Sequence, residues 1–329
     1  MQRQFHRQYR LLLGKSAQTG LLLTSEDLSS DKGIRGLRMT FAIDKDTTKE
    51  SNKSEIKIWN LSDASLNLIE QEDLMIELSV GYRDDLGPVR IFIGTLVKCV
   101  TKVENDGKDV CTSIICSDGM LAIRDSILST SFAPGVDSLT ILRATASNMG
   151  LALDVAEDVK GVVYHDGYSF VGYAKRSLDV ICEAMGATWS IQNNMLQVIM
   201  RNGITRKQGI VFSPSSGLIG RPERVIKSSR MSNNTKEGER QEVINEVGLS
   251  KREKSKRKKQ REKKRKKTSQ AGWKIRTLLA PTVNPGDAIR IESNSVSGWF
   301  KVESIKHSGG TFEQEWTSEI DCIEVMLDE

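Results

Sequence analysis

The sequence contains few of the residue types on which metal-binding and repetitive proteins depend. Only 5% of its 329 residues are aromatic and only 6 are prolines, which excludes a collagen-like or proline-rich protein. Its histidines, His6, His165 and His307, lie far apart, and no CxxC, HxH or HExxH pattern occurs. Because zinc sites need such clusters, we expect no metal site. No apolar run approaches the roughly 18–20 residues that span a bilayer, so we expect no membrane-spanning segment.

The cysteine content excludes a disulfide scaffold. Five cysteines in 329 residues is an odd number and a low density. We therefore expect reduced thiols in the core of a protein made in a cytoplasm. The basic N-terminus is not followed by the apolar segment of roughly 7–15 residues that a secretory signal requires, so we expect no such signal. The thiols concerned are Cys99, Cys111, Cys116, Cys182 and Cys322.

One short segment accounts for the basic character of the chain. The formal net charge is +5, but residues 251–267 alone contain 13 basic and 2 acidic residues. The remaining sequence contains 35 basic and 41 acidic residues. The folded body is therefore mildly acidic, and the basic charge belongs to this segment.

Residues 251–267, the basic segment, leave three interpretations open. Lys, Arg, Ser and Gln cannot build a core, so a solvated, mobile segment is the plainest of them. The second is a contact with an acidic partner or with DNA, and the third is a localisation-type signal. Without interleaved aromatic residues, a nucleic-acid contact would be to phosphates and independent of sequence. The candidate contact residues are Lys251, Arg252, Lys258, Lys259, Arg261, Lys264, Arg265 and Lys266.

The usual catalytic constellations are missing from the sequence. There is no GxSxG elbow, no GxxxxGK[ST] loop and no GxGxxG after a predicted strand. Asp118 and Ser169 have no recognisable base or orienting partner. His307 comes at the end of a predicted strand, where a structural, hydrogen-bonded histidine is the commoner case. We predict that the protein is not an enzyme and has no catalytic residue and no cofactor.

Alternating apolar residues predict β-strands in the first third of the chain. Leu37, Met39, Phe41 and Ile43 alternate with other residues, and further strands are predicted at 55–61, 74–80, 91–94, 100–104 and 110–114. Asp106-Gly107 predicts a hairpin, and Ser62 can N-cap a short helix. Six or so short strands are typical of a small antiparallel barrel or sandwich.

The hydrophobic period changes in the middle of the chain. Helical spacing begins after Ser138 and again at Ser177, and the two helices are predicted to stop at Met149-Gly150 and Met185-Gly186. Each stop leads into a strand. This repetition has two interpretations, a degenerate duplication or a common helix stop used twice. A tight hairpin is predicted at Asn193-Asn194.

The last part of the chain returns to β-structure after a polar stretch at about 228–272. Strands are predicted at 288–291, from Gly298 to near His307, and at 316–325, with a loop at 308–310. Because strands lie on both sides of it, the polar stretch is interpreted as an insertion into one domain. Four tryptophans lie in predicted strands and should lose most of their exposed area in the fold or at an interface: Trp59, Trp189, Trp299 and Trp316.

We therefore predict a mainly β fold with an α+β insert. Two β-barrel-like domains, residues 1–124 and 206–329, flank a small α+β domain at residues 125–205. The basic polar insertion at about 228–272 interrupts the second β-barrel-like domain.

Several segments, taken in order, resemble the baseplate hub proteins of contractile-tailed bacteriophages, including the Mu-like hub and the phage late control protein D relatives. The N-terminal resemblance lies in residues 37–45 and 51–62, in Val80-Gly81-Tyr82 and in Ile91-Phe92-Ile93-Gly94. Residues 178–191 match in the middle. Near the end, SGLIGRPE at 216–223, PTVNPGD at 281–287 and residues 298–309 are similar to family motifs. The basic segment is a departure from the family pattern.

The resemblance implies a fold, a function and partners. It implies two tail-tube-like β-barrels per chain and a homotrimer that forms a pseudo-sixfold ring. This ring joins the hexameric tail tube to the central spike and lines the DNA ejection channel of the virion baseplate, after assembly in the host cytoplasm. The implied partners are two further copies of the chain, tail tube or tube-initiator proteins, the central spike protein and, as a further candidate, the tape measure protein. Transient non-specific DNA contact is a further candidate that rests on the basic segment and not on the resemblance.

The resemblance also selects two assembly motifs. SGLIGRPE lies where the family enters its second barrel, and its glycines and proline predict a tight crossing with positive φ or close backbone approach. A simple surface loop is the other interpretation. The candidate assembly residues are Gly217, Leu218, Ile219, Gly220, Pro222, Pro285, Gly286 and Asp287.

Two functions from other classes stay open. A nucleic-acid-binding protein could use the basic segment as a lysine-rich arm. A tail-tip cell-wall hydrolase is the enzymatic alternative, although the sequence offers no catalytic set for it.

Overall fold

A computed structural model describes residues 6–14, 20–25, 36–69, 74–104, 107–205, 209–226 and 271–325. The whole basic segment, with its eight candidate contact residues, lies outside the described residues. In the first third the elements are β1 (Arg7–Gly14), β2 (Leu21–Thr24), β3 (Met39–Asp46), β4 (Lys53–Trp59), α1 (Asp63–Ile69), β5 (Met75–Tyr82), β6 (Gly87–Glu104) and β7 (Asp109–Ser117).

The remaining elements form a mixed middle and a β-rich end. The middle contains α2 (Met120–Asp125), β8 (Ile127–Phe132), β9 (Val136–Asp137), α3 (Ser138–Asn148), β10 (Ala152–Val155), β11 (Val163–Tyr164), β12 (Tyr168–Tyr173), α4 (Ala174–Ala184), β13 (Ala187–Gln192) and β14 (Met195–Met200). The end contains β15 (Ile210–Phe212), β16 (Leu218–Ile226), β17 (Ala271–Leu278), β18 (Ala288–Glu292), β19 (Ser297–Gly310) and β20 (Trp316–Glu324).

Strands from both ends of the chain form one large sheet, which confirms the predicted mainly β fold with an α+β insert. Thirteen of the described strands belong to it, and its main path runs β16-β17-β20-β19-β3-β4-β7-β6-β5-β1-β2, with β18 and β15 added beside β19. The two halves of the chain meet where β3 pairs with β19 in antiparallel register, from Asp46 opposite Ser304 to Thr40 opposite Gly310.

The predicted strands at 91–94 and 100–104 are one long strand, β6. Its first half pairs with β5 and its second half with β7, and the register shifts once in each pairing, at Leu78/Ser79 and at Leu96/Lys98. Register shifts of this kind bend a strand and increase its twist. They let one strand pass from one neighbour to another without a break. Strand β1, for which the sequence pattern predicted no strand, is buried through Tyr9, Leu11 and Leu13.

The middle of the chain folds around its own small sheet. Strands β10, β14 and β13 pair in that order, with β10 parallel to β14. Helices α3 and α4 pack together and supply one side of the core. The predicted helix stops are confirmed, because Gly150 and Gly186 adopt φ of 68° and 69°. The predicted tight hairpin is confirmed too, with φ of 53° at Asn193 and 61° at Asn194.

Side chains cap the N-termini of two helices. Asp137 caps α3, since its carboxylate accepts a hydrogen bond from the Leu139 amide at 3.2 Å. Ser62 caps α1 as predicted, with its Oγ 3.3 Å from the Ser65 amide. Both are residue types that favour N-caps, so neighbouring candidates cannot be separated by type alone.

The predicted loop at 308–310 is wrong, because Ser308, Gly309 and Gly310 continue β19 and pair with β3 and β20. His307 therefore lies inside a strand and not at its end. A Cβ at Gly309 would lie 2.6 Å from Trp316 and 2.8 Å from Phe41. These rings pack edge to face with centroids 5.2 Å apart. Gly309 is thus a close-approach glycine beneath an aromatic pair, not a turn residue.

Three separate hydrophobic clusters form the core. One combines β1–β7 residues with Leu279 and Trp316, the second is confined to the middle of the chain, and the third belongs to the C-terminal strands. All four tryptophans lose most of their exposed area, as predicted: Trp59, Trp189 and Trp316 are buried, and Trp299 is partly buried. All five cysteines are free thiols, and Cys99 alone of them is not fully buried.

We expect Gly309→Ala to destabilise the protein by about 1–3 kcal/mol, since the added methyl group must displace packed rings on both sides. Chemical denaturation of the two proteins measures the difference. Gly310→Ala is the matched control, because the nearest atom to its Cβ, 2.0 Å away, is the end of the flexible Glu313 side chain. If Gly309→Ala and Gly310→Ala lose the same free energy of unfolding, the packing role of Gly309 is contradicted.

Candidate functional site

A buried lysine lies where three parts of the chain meet. Lys45 is on the inward face of β3, in phase with the buried Met39, Phe41 and Ile43, and its side chain is 1% exposed. Its Nζ donates to the Ile91 carbonyl at 3.0 Å, to Asn193 Oδ1 at 3.0 Å and to Asn284 Oδ1 at 2.8 Å. One ammonium group thus connects the N-terminal strands, the middle hairpin and the C-terminal part.

The surroundings of Lys45 have opposing effects on its positive charge. Burial, with a smaller contribution from Arg90, lowers the pKa of Lys45 from 10.5 to about 8, and this net value already includes the opposite effects of Asp118 and Asp287. Burial of an ammonium group is costly unless its protons are hydrogen-bonded. Three carbonyl oxygens around three N–H bonds meet that requirement.

Asp118 anchors the same hairpin from the other side. This buried carboxylate accepts from the backbone amides of Asn193 at 2.6 Å and Asn194 at 2.9 Å. Burial raises the pKa of Asp118, and the amides of Asn194 and Asn193, together with Lys45, hold it down. Asp118 therefore has the orienting partners that the sequence did not reveal, and they are structural ones.

Side-chain amides complete the contact between the middle of the chain and the large sheet. Asn52 Nδ2 donates to the Ile191 carbonyl at 2.8 Å and to Gln192 Oε1 at 3.0 Å. Gln192 Nε2 in turn donates to the Asp46 carbonyl at 2.6 Å. We call Lys45, Asn52, Asp118, Gln192, Asn193 and Asn284 the joint.

The structure places the PTVNPGD motif, residues 281–287, at the joint. Its last three residues, 285–287, are called the PGD turn. Asn284, between the two prolines of the motif, binds Lys45, and its amide donates to Asp287 Oδ2 at 2.9 Å. Asp287 also accepts from the Thr205 hydroxyl. Gly286 adopts φ of 92°, and a Cβ there would lie 2.9 Å from Thr205 Cγ2. Pro285, Gly286 and Asp287 thus form a tight turn against the segment that leaves the middle of the chain.

SGLIGRPE lies at the end of the large sheet, away from the joint. Gly217 and Gly220 adopt φ of 105° and 73°, and nothing lies within 4 Å of a Cβ at Gly220. Both glycines therefore provide positive φ. Close approach of the backbone to a neighbour is not the reason for glycine at position 220. Leu218 and Pro222 are buried, whereas Ile219 is 38% exposed.

Strand β16 has the features of a protected edge. It pairs with β17, and the register shifts between Ile219 and Glu223 across the segment that contains Pro222. A proline, a bulge and charged side chains such as Arg221 and Arg224 are devices that discourage another strand from adding to a sheet edge. Contacts with a partner at this edge would use side chains and not a continued ladder.

His307 is a structural residue in this fold. It is fully buried, and its Nδ1 lies 2.8 Å from Ser318 Oγ. Burial, with a contribution from Lys45, lowers the pKa of His307 to about 3, so the ring is neutral at ordinary pH. The described residues include no group of three or more His, Cys, Asp or Glu side chains that could hold a metal ion. Within the same residues, no helix has the length and apolarity to cross a membrane.

The sequence did not lead us to predict a functional or structural role for Lys45, although its position in the strand pattern is unusual. It occupies the apolar phase of a strand whose other inward positions are Met39, Phe41 and Ile43. A lysine in that phase indicates either a strand end or a buried cation. Nothing local identifies Asn193 and Asn284 as its partners, since they are 148 and 239 residues away.

We expect the pH dependence of stability to reveal the buried ammonium group. The folded pKa of about 8 lies below the reference value of 10.5. The unfolded chain therefore binds more protons between these pH values, and the contribution of Lys45 to stability rises with pH. A gap of this size corresponds to about 3 kcal/mol. The free energy of unfolding of wild type minus that of Lys45→Met should increase by up to that amount from pH 8 to 10.5.

Equilibrium denaturation at a series of pH values measures this difference. Groups that titrate in both proteins cancel in the subtraction. Lys98→Met, on an exposed part of β6, is the control and should leave the pH profile unchanged. If the difference in unfolding free energy between wild type and Lys45→Met stays constant or falls as pH rises, Lys45 does not have a pKa lowered by burial.

Comparisons by sequence find no match, whereas comparisons by structure find similar folds. No protein-family model matches the chain, and no curated protein matches it by sequence. The fold is similar to that of the tail protein from Neisseria meningitidis MC58, with a TM-score of 0.59 at 10% identity over 96% of both chains. It is also similar to the 43 kDa tail protein of prophage MuSo2 from Shewanella oneidensis, with a TM-score of 0.60 at 9% identity over 96% of both chains.

A third similar structure comes from a secretion system. The E. coli c3393 protein is described as a component of the type VI secretion system with structural similarity to the T4 bacteriophage tail proteins gp27 and gp5. It matches with a TM-score of 0.51 at 9% identity, over 88% of this chain and 74% of that one. The chain therefore has the fold of phage tail proteins, and at these identities the likeness concerns the fold alone.

Proposed function

We propose that the protein is a structural, non-enzymatic hub of a phage contractile-tail baseplate. Three copies form a ring that joins the hexameric tail tube to the central spike and lines the DNA ejection channel. The observation that carries this proposal is the likeness in fold to two phage tail proteins over 96% of this chain and of theirs. A likeness over whole chains favours a shared architecture over a shared single domain.

The arrangement of the strands supports a role in matching symmetries. Each chain contributes two β-rich halves to one sheet, and β3 and β19 connect them. Three chains then bring six such halves to a ring, which suits a trimer that must face a hexameric tube. On this proposal the domains are residues 1–124, 125–205 and 206–329, and the neighbours in the virion are tube or tube-initiator proteins, the spike protein and the tape measure protein.

The buried lining of the joint argues for a structural and not a catalytic use of its polar groups. Lys45 and Asp118 are both buried, and their hydrogen bonds run to backbone and amide groups of this chain. A peptidoglycan zymogram tests the hydrolase alternative, and a band of clearing would contradict a purely structural role.

We expect light scattering on the purified chain to give the mass of three copies. Gly220→Val should block the trimer, because φ of 73° is a conformation that a β-branched residue rarely adopts. Gly220→Asn is the matched control, since asparagine tolerates positive φ. The middle of the chain should stay folded in both variants, as judged by the NMR resonance of the Trp189 indole N–H, which donates to Asp179.

Two outcomes would count against this assignment. A wild-type mass of one copy would contradict the hub. A trimer that survives in Gly220→Val with a normal fold would leave the hub intact and make SGLIGRPE a simple surface loop.

The position of the basic segment favours a second activity, a sequence-independent contact with DNA. The segment lies within the connection between β16 and β17, whose paired ends are Ile226 and Ala271. A basic arm is thus attached at one end of the large sheet. Thirteen cations without aromatic residues suit phosphate contacts.

Deletion of residues 251–267 tests this activity separately from assembly. The wild type should bind short duplexes of unrelated sequence, with an affinity that falls steeply as salt increases. The deletion should lose this binding and keep the mass of three copies. DNA binding that persists in the deletion would contradict the arm, and loss of the trimer would assign the segment to assembly.

A further inference from the structure

The middle of the chain has a core of its own. We call residues 120–201 the middle unit. Its buried cluster runs from Leu128 to Ile199, and none of its members belongs to either cluster of the large sheet. Its strands pair only with one another among the described residues. The unit can therefore keep its packing whether or not it touches the sheet.

Polar side chains make much of the contact between the middle unit and the sheet. Among the described residues this contact includes the hydrogen bonds of the joint, the bond from Lys301 Nζ to the Arg201 carbonyl at 3.2 Å, and the ion pair of Lys49 with Asp179. Helix α2 also lies against β6. Apolar contact is seen where Gly119 approaches Ile191 and Gly286 approaches Ile199. Polar interfaces of this kind are typical of domains that move relative to each other, since water can replace the contacts.

Contact between the middle unit and the sheet removes three ionisable side chains from water, which has a desolvation cost. Lys45, Lys301 and Asp118 are all buried in the closed arrangement, and burial disfavours the charged form of each. On separation these groups regain water. The closed state is therefore held by directional hydrogen bonds working against desolvation, a balance that makes separation cheap compared with unfolding of either core.

The chain enters and leaves the unit at residues suited to a change of direction. It enters through Asp118-Gly119, where Gly119 adopts φ of 68°. It leaves through Arg201–Thr205, where the Thr205 amide donates to the Gly286 carbonyl at 2.9 Å. Hinges are a few residues at the ends of elements that absorb changes of φ and ψ, and both crossings lie at strand ends.

We infer that the joint is a release point, at which the middle unit swings away from the large sheet as a folded body about its two chain crossings. The motion opens Lys45, Asp118 and Asn193 together and leaves all three hydrophobic clusters intact. The motion requires no assembly partner, so its test does not depend on the hub proposal.

Two amides report the motion directly. The N–H groups of Asn193 and Asn194 belong to the middle unit, but their acceptor is the Asp118 carboxylate, which lies outside the cluster of that unit. They are turn residues and do not join the pairing of β13 with β14 beyond Gln192 and Met195. Release exposes them to solvent, whereas the amides paired within β13 and β14 stay protected.

Hydrogen exchange followed by NMR on the full chain tests the inference. In the wild type, Asn193 and Asn194 should exchange at least about tenfold faster than the paired amides of β13, β14, β3 and β4. Lys301→Met removes a distant contact of the same interface and touches neither reporter. It should accelerate Asn193 and Asn194 by about tenfold, since the lost hydrogen bond involves a charged donor, and leave the paired amides unchanged.

Lys306→Met is the matched control, because Lys306 lies on the exposed face of the same strand. It should change none of these rates. Three results would overturn the inference: reporter amides as slow as the paired ones in the wild type, no acceleration in Lys301→Met, or equal acceleration of the paired amides. The last result would mean that the middle unit unfolds instead of moving away intact.

Discussion

The burial of the Lys45 ammonium group constrains the rest of the structure more than any apolar contact does. A buried cation is tolerated only while all its protons are hydrogen-bonded, and its three acceptors come from β6, from the β13–β14 turn and from the turn before β18. Apolar cores accept small changes of orientation, whereas three directional bonds do not. The lysine therefore specifies how the three parts are arranged, at a cost in stability that a nonpolar residue of similar volume would avoid.

The seam between β3 and β19 makes this arrangement possible. It is the pairing that brings the two halves of the chain into one sheet and sets Lys45 opposite Ile305. Aromatic packing of Phe41 against Trp316 lies over the same seam, and Gly309 gives the rings their room. Backbone pairing, ring packing and the buried cation thus depend on one register, because a shift of one residue would turn Lys45 to the solvent face.

The two motifs proposed for assembly lie in different surroundings. The PGD turn takes part in the joint through Asn284 and Asp287, and so affects the internal arrangement of the chain. SGLIGRPE shapes an exposed sheet edge with a bulge, a proline and charged residues. Such an edge resists uncontrolled strand addition. An oligomer that uses it would gain specificity from side chains, in keeping with a ring of fixed copy number.

Local features of this protein followed from the sequence alone: the alternation in β3, the helix stops at Gly150 and Gly186, the tight turn at Asn193-Asn194 and the burial of Trp189. Each depends on a period or a φ preference that a few neighbouring residues express. Only the tertiary structure decided the role of Gly309, the continuity of β6 and the meeting of Lys45 with Asn193 and Asn284. These depend on strand pairings and turns that lie far apart in the chain, and no local period records which distant carbonyl will face a buried proton.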